Sequence, residues 1–358
     1  MRLVVPPAKP HILVTGANGF VGGWYVEALH LSGWAQVRAG ISRWSGAARI
    51  ARFPVDIAVC DVMDAASLDA ALEGVDAVIH CARGRADDSP VTTEGTRLLL
   101  ERARAAGVRK VVFTSSVAVY GEAGGVVRED TAPVGPLTAY GAAKARAEAI
   151  CREMADAHLS VVTLRPTLIY GPFSDQWSLP YLARFASGRW PALGARGEGR
   201  CNLVYVGDLV HFARHLIARD TGPYAVFNAN GPEVPTWNSY LERFNAALGF
   251  PPMRPEAAGL GLRVALRRPV RRLGKYALAN HRGALVALAD RSPGLKAMMK
   301  RTEADLRLNP NDDEMRRFST DVTYSMDAAR AAGFVPPTSV DEGLALTADW
   351  ARATSLVA

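Results

Sequence analysis

The chain has 358 residues, 49% hydrophobic and 22% charged, with 42 Lys and Arg against 35 Asp and Glu and a formal net charge of +7. That profile belongs to a globular protein with a sizeable core in one large or two modest domains. Four widely spaced cysteines, Cys60, Cys81, Cys151 and Cys201, form no CxxC pair, so neither a zinc site nor a disulfide framework is suggested and a reducing cytoplasm fits.

The opening MRLVVPPAKP holds three prolines and no signal-like apolar run, and no later stretch approaches about twenty uninterrupted apolar residues. A cytoplasmic location is expected, with neither secretion nor a membrane span. From His11 the sequence HILVTGANGFVGGWYVEALHLSG reads as an apolar strand, a glycine turn and an amphipathic helix. Gly16, Gly19 and Gly22 are spaced GxxGxxG, so backbone amides and a helix N-terminus can approach a diphosphate without side chains in the way. Phe20 and Val21 complete this turn as cofactor-binding candidates. A second strand, QVRAGIS, begins at Gln36, supplying the strand-turn-helix-strand context the motif requires.

At the end of that strand an NAD site offers an acid to the adenosine ribose, whereas a 2′-phosphate needs cations and donors. Ser42, Arg43 and then Arg49 stand here, with no acid before Asp56. NADP is therefore expected ahead of NAD.

VDIAVCDVMDAASLDAAL and VDAVIHCARG add two strand-like runs, the first leading into a helix with Asp64 or Ser67 near its start. Asp61 either takes the adenine amino group or caps a helix; Val62 follows it. His80 lies in an apolar run and reads as a buried, hydrogen-bonded core residue. The next helix spans Val91 to Ala106.

VVFTSSVAVYG, from Val111, reads as a buried parallel strand delivering hydroxyls at its carboxyl end, where open α/β sheets place ligands. A connector broken by Gly and Pro leads to an Ala-rich helix that Thr138 can cap, carrying Tyr140 and Lys144 on one face at i, i+4. A free phenol ionises only near pH ~10, and an ammonium one turn away favours the phenolate. Ser116, Tyr140 and Lys144 thus make sense together as an acid/base site. A tyrosine and a lysine four apart on a solvated helix face are the bland alternative.

TGANGFVG, CDVMD, VIHCA, VFTSSVAVYGE, YGAAK, LRPTLIYGP, VYVGDLV and FNANG follow one another in the order and spacing of the extended short-chain dehydrogenase/reductase superfamily. The chain resembles its NAD-dependent epimerase/dehydratase group from about residue 11 to 247 and again from Thr320. The resemblance implies a Rossmann-type doubly wound parallel sheet of the α/β class with a smaller C-terminal substrate lobe. Residues 1–172, with about 201–231, would form the dinucleotide-binding domain, and 173–200 with 232–358 the lobe. It also implies roles. Tyr140 would be the general acid/base, and Lys144 would bond the nicotinamide ribose and lower the phenol pKa. Ser116 would hold the substrate oxygen; Ser115, Cys81 and Ala82 would lie by the ribose, and Pro166 and Thr167 beside the nicotinamide. Homodimerisation through the helices beginning near Thr92 and Ala139 is implied likewise.

Departures from the group narrow the expectation. Val117 and Ala118 replace the Asp/Glu pair of the dehydratases, so dehydration is not expected. Sugar-nucleotide epimerases carry Asn at Leu168 and Arg near Cys201, although Arg200 is one residue away. LRPTLIYGP also resembles hydroxysteroid-dehydrogenase and dihydroflavonol-reductase branches. The expected activity is an NADP(H)-preferring oxidoreductase on a sugar or nucleotide-sugar carbon, with a reductase of a hydrophobic or lipid-linked alcohol as the alternative. A non-catalytic dinucleotide-binding regulator stands behind both. Trp177, Tyr181, Trp190 and Trp237 either line a cleft or form plain core.

Residues 257–301 hold eleven Lys and Arg against the single acid Asp290, so the chain's basicity is local. Leucines interleave with these charges. A helical insertion with a solvated basic face is the first reading and contact with an anionic membrane surface the second. Nucleic acid is not an expected partner, since Tyr276 is the only aromatic there.

Overall fold

The structure, a computed structural model, describes residues 9–84, 90–188, 190–254, 266–267, 269–270, 273 and 292–357. In chain order the described elements begin with β1 (His11–Thr15), α1 (Phe20–Leu31), β2 (Gln36–Ile41), β3 (Asp56–Val59), α2 (Ala65–Leu72), β4 (Ala77–His80) and α3 (Pro90–Ala105). Next come β5 (Lys110–Thr114), β6 (Gly125–Val127), α4 (Ala139–Met154), β7 (Ser160–Pro166), β8 (Leu168–Tyr170), α5 (Leu179–Ala186), β9 (Leu203–Tyr205), α6 (Val206–Ile217) and β10 (Tyr224–Ala229). The chain closes with α7 (Trp237–Ala247), α8 (Pro293–Leu308), α9 (Asp312–Phe318), β11 (Val322–Tyr324), α10 (Asp327–Ala331) and α11 (Val340–Ala353).

Two compact units result. The first runs to Gly171 and takes in Asn202–Glu233 and Val322–Ser339; the second takes Pro172–Cys201, the described residues from Val234 to Asp321, and the segment from Val340.

In the first unit a parallel sheet has the order β10-β7-β5-β4-β1-β2-β3, with helices on both faces. Its central strands carry unbroken apolar runs because both faces are covered: Ile12, Leu13, Val14, Val78, Ile79, Val111, Val112 and Phe113 are fully buried. Tyr25 and Leu29 of α1 pack with Leu209, Phe212 and Leu216 of α6 in one layer. Leu68 and Leu72 of α2, Leu99 and Leu100 of α3, and Ile150 of α4 fill the other. The order reverses between β1 and β4, the switch point where such sheets open a crevice at their carboxyl ends.

The return of Val322–Ser339 to this unit departs from the sequence expectation, which gave it to the lobe. β11 pairs in parallel with β6, and Phe334 stacks on Phe212 of α6 with centroids 4.2 Å apart. Three buried asparagines also hold it, because Asn202 donates to Val322 O, Asn228 to Ser325 O and Asn230 to Tyr324 O.

The second unit has an aromatic interior of Tyr181, Phe185, Trp190, Trp237, Tyr240, Phe244 and Phe318, all buried. Tyr181, Trp190 and Trp237 are therefore core; Trp177 is half-buried, with the Arg317 guanidinium 4.9 Å from its ring centroid. Arg184 lies 4.3 Å from the Trp190 centroid and pairs with Glu314 at 2.8 Å. Most of the basic stretch 257–301 lies outside the described residues, and with it the expected membrane contact. Among the described residues no helix is long and apolar enough to cross a membrane.

Candidate active site

The glycine turn is shaped by backbone meeting backbone. Gly16 has φ +67°, a conformation that L side chains rarely adopt, and a Cβ there would lie 2.8 Å from Ala82 N. At Gly22 a Cβ would lie 2.3 Å from Gly16 O, so only glycine lets the first turn of α1 close on the loop. Gly19 N donates to Gly16 O at 2.9 Å, and Gly19 caps α1 with no side-chain hydrogen bond to the helix N-terminus. Phe20 and Val21, both half-buried, open the helix. This cradle fits a dinucleotide diphosphate: among the described residues its glycines meet only backbone, and the α1 N-terminus carries no side-chain cap bond.

Behind the loop runs a chain of neutral hydrogen bonds with a fixed direction. Thr96 Oγ1 donates to Thr92 O at 2.7 Å, so it accepts from His80 Nε2 at 3.0 Å; His80 Nδ1 then accepts from Thr15 Oγ1 at 2.7 Å. Thr15 Oγ1 in turn takes the Ala82 amide at 3.3 Å, linking the relay to the loop after β4. Burial, reinforced by the nearby Lys144 charge, lowers the His80 pKa to about 3 and keeps the ring neutral. His80 is the core residue its sequence setting suggests.

The backbone segments that carry Ser116, Tyr140 and Lys144 come together at the carboxyl end of β5. Thr138 caps α4, its hydroxyl accepting from Gly141 N at 3.0 Å. Gly141 itself sits so close to Ala118 that a Cβ would lie 2.4 Å from its carbonyl oxygen. The first turn of α4, with half-buried Tyr140, therefore abuts the 3-10 turn Val117–Tyr120 that Ser116 caps. Ser116 Oγ accepts from Ala118 N at 3.2 Å, which leaves its own proton to donate. One turn after Tyr140, Lys144 is 2% exposed; its Nζ donates to Thr114 O at 2.6 Å and stands 4.6 Å from the Phe113 centroid. Burial lowers its pKa from 10.5 to about 8.

The remaining candidates divide. Cys81 Sγ lies 3.3 Å from Thr114 Oγ1, and burial raises its pKa to about 11. Val62 is buried where α3 passes at Gly95. Asp61 is exposed and accepts from Met63 N, while Asp64 caps α2. Ser42 and Arg43 are exposed at the end of β2, but Arg49 turns away to Glu27, at 3.1 Å, and to Phe20 O. Pro166 ends β7, and the Thr167 hydroxyl donates to Ala229 O and Asn230 Oδ1. Ser115 is 2% exposed and gives its hydroxyl to Glu148. In the second unit Cys201 is fully buried, and exposed Arg200 lies 3.5 Å from Asp321 beside an open cavity of about 350 Å³. The sequence reading passed over Glu148 and Arg165; the spacing of Glu148, four residues beyond Lys144, was the available signal.

A model of the NAD dependent epimerase/dehydratase family matches residues 12–229. The chain is 32% identical over 229 residues to the N-acetyl-alpha-D-glucosaminyl-diphospho-ditrans,octacis-undecaprenol 4-epimerase of Escherichia coli O157:H7, covering 61% of this chain and 66% of that one, just under two thirds. It is 29% identical over 362 residues to the 2-alkyl-3-oxoalkanoate reductase of Stenotrophomonas maltophilia, covering 93% and 97%. The structure of Thermotoga maritima UDP-glucose 4-epimerase with UDP-glucose shares the fold, with TM-score 0.70 and 22% identity over 96% of this chain and 99% of that one. Matched over more than half its length, the chain belongs to the NAD-dependent epimerase/dehydratase family.

Proposed function

We propose that the enzyme interconverts a secondary alcohol and a ketone at a sugar carbon, with Tyr140 as the acid/base, and that it prefers NADP. The observation that carries this reading is the buried Lys144 ammonium held at the end of β5, one turn from Tyr140. A bound nicotinamide supplies the hydride acceptor or donor. The chain's own residues do the rest. Lys144 favours the Tyr140 phenolate, which takes the proton of the substrate hydroxyl and returns it to the ketone oxygen in reverse. Ser116 Oγ, its proton left over by the cap, donates to the same oxygen and fixes it within reach of Tyr140. The glycine turn receives the diphosphate, and Ser42 with Arg43 receives the 2′-phosphate. The second unit takes the role of substrate lobe, and α3 with α4 that of a homodimer face, which light scattering tests.

The sugar assignment draws on the E. coli relative, whose named substrate is an acetylated aminosugar on a polyprenyl diphosphate. Assays with UDP-N-acetylglucosamine and its polyprenyl-diphosphate counterpart, with NAD and NADP, test it. Tyr140→Phe is expected to lower turnover by about 10²–10⁴ with dinucleotide affinity unchanged; retained turnover ends the assignment.

A second reading, reduction of a hydrophobic ketone, is favoured by one specific observation. Cys201, near which sugar-nucleotide epimerases carry Arg, is fully buried, and the neighbouring Arg200 lies 3.5 Å from Asp321. The Stenotrophomonas relative, aligned with 93% of the chain, is named as such a reductase. Nucleotide released on denaturation separates the two: retained NAD marks an epimerase, and an empty site that fills with NADPH a reductase.

A further inference from the structure

Resting on that reading of Tyr140 and Lys144, we propose that the buried Glu148–Arg165 pair positions the reacting centre, and that Ser115 acts through this pair rather than on the cofactor. Glu148 extends the stripe of Tyr140 and Lys144 by one more turn of α4. Its carboxylate accepts the Ser115 hydroxyl, Arg165 Nε at 3.0 and 3.2 Å, and Arg165 Nη2 at 2.6 Å. Arg165 Nη1 reaches on to the Tyr120 hydroxyl at 2.7 Å and Glu129 O at 2.8 Å. Tyr120 then donates to Asn228 Oδ1 at 2.7 Å. Ser115, Glu148, Arg165 and Tyr120 are 2%, 6%, 7% and 1% exposed, so little water competes for these bonds.

Where the network attaches is what assigns its role. Ser115 precedes Ser116, Tyr120 ends the turn that Ser116 caps, Arg165 precedes Pro166, and Glu148 follows Lys144 by one turn. One ion pair thus clamps α4 to the ends of β5 and β7 at the height of the reacting residues. A buried ion pair adds little stability over an apolar replacement of similar size, so conformational fixation is the physical reason to build one. The ammonium of Lys144 also faces Arg83, Glu148 and the thiols of Cys81 and Cys151.

The test uses the full-length chain with saturating NAD. Two variants are compared: Ser115→Ala, and Glu148→Gln combined with Arg165→Met, which removes one charge of each sign. Near-ultraviolet tyrosinate absorbance, taken against Tyr140→Phe as the blank, reads the Tyr140 phenol, and NAD titration reads cofactor affinity. The phenol midpoint is expected to rise by about one pH unit in the double variant and less in Ser115→Ala, with NAD affinity within about threefold in both. Because the net charge is conserved, such a rise reports lost geometry. An unmoved midpoint in both variants overturns the proposal, as does Ser115→Ala weakening NAD about tenfold with the midpoint unmoved. If the double variant fails to fold, Ser115→Ala decides, since it strands no charge. A separate failure is visible in the parent chain: if Tyr140 titrates like a free phenol, the acid/base reading falls and this inference falls with it.

Discussion

Two regions flank the switch point of the sheet, and they are built from opposite materials. Around β1 and β4, Gly16 and Gly22 touch backbone, and Thr15, His80 and Thr96 exchange neutral hydrogen bonds. Around β5, α4 and β7, the buried groups are ions: Lys144, Glu148 and Arg165. The difference follows from what each region must hold. A diphosphate brings its own charge and is met by amides and a helix terminus, so nothing ionised belongs behind the loop. On the proposed function, a phenol that ionises near neutrality needs a fixed countercharge, and a fixed countercharge in a core needs partners of its own.

Breaking the charged region gives the largest expected effect. Arg165→Met strands the Glu148 carboxylate, whose side chain is 8% exposed, and is expected to cost about 3–5 kcal/mol in chemical denaturation. In the neutral region, Gly22→Ala sets a Cβ against Gly16 O and is expected to cost about 2 kcal/mol while weakening dinucleotide binding. Calorimetry of binding beside a denaturation curve checks both parts.

His80 sharpens the contrast through pH. Its folded pKa of about 3 lies below the ordinary imidazole value of 6.5, so the unfolded chain binds the extra proton. The stabilisation is fully present above 6.5 and is lost as pH falls toward 3. His80→Gln is expected to flatten that acid limb by about 1.4 kcal/mol per pH unit. A limb unchanged by the substitution means that His80 carries no such coupling. The smallest effect belongs to the rim: Arg43→Ala is expected to weaken NADP about tenfold and leave NAD unaffected, measured by fluorescence titration of both reduced cofactors.

Much of this was legible in the residues because it is local. The GxxGxxG turn, the Thr138 cap, the i, i+4 pairing of Tyr140 with Lys144 and the buried character of His80 all depend on neighbours within a turn or a strand. Three aspects were hidden. Arg49 looked like a phosphate donor by its position after β2, yet the 3-10 turn Trp44–Arg49 swings it back onto Glu27. Ser115 looked like a cofactor neighbour, but its hydroxyl goes to Glu148, 33 residues on. The segment from Val322 looked like lobe, whereas β6 and three asparagines recruit it to the sheet unit.

The sequence by itself determined the strand-turn-helix order and the family, and it placed Tyr140 and Lys144 one helical turn apart, since periodicity, glycine placement and helical spacing act over a few residues. Only the tertiary structure decided which polar side chains face the site and which brace it. Glu148 and Arg165 lie seventeen positions apart, on a helix and a strand, and a buried charge takes whatever partner the packed fold places within hydrogen-bond reach.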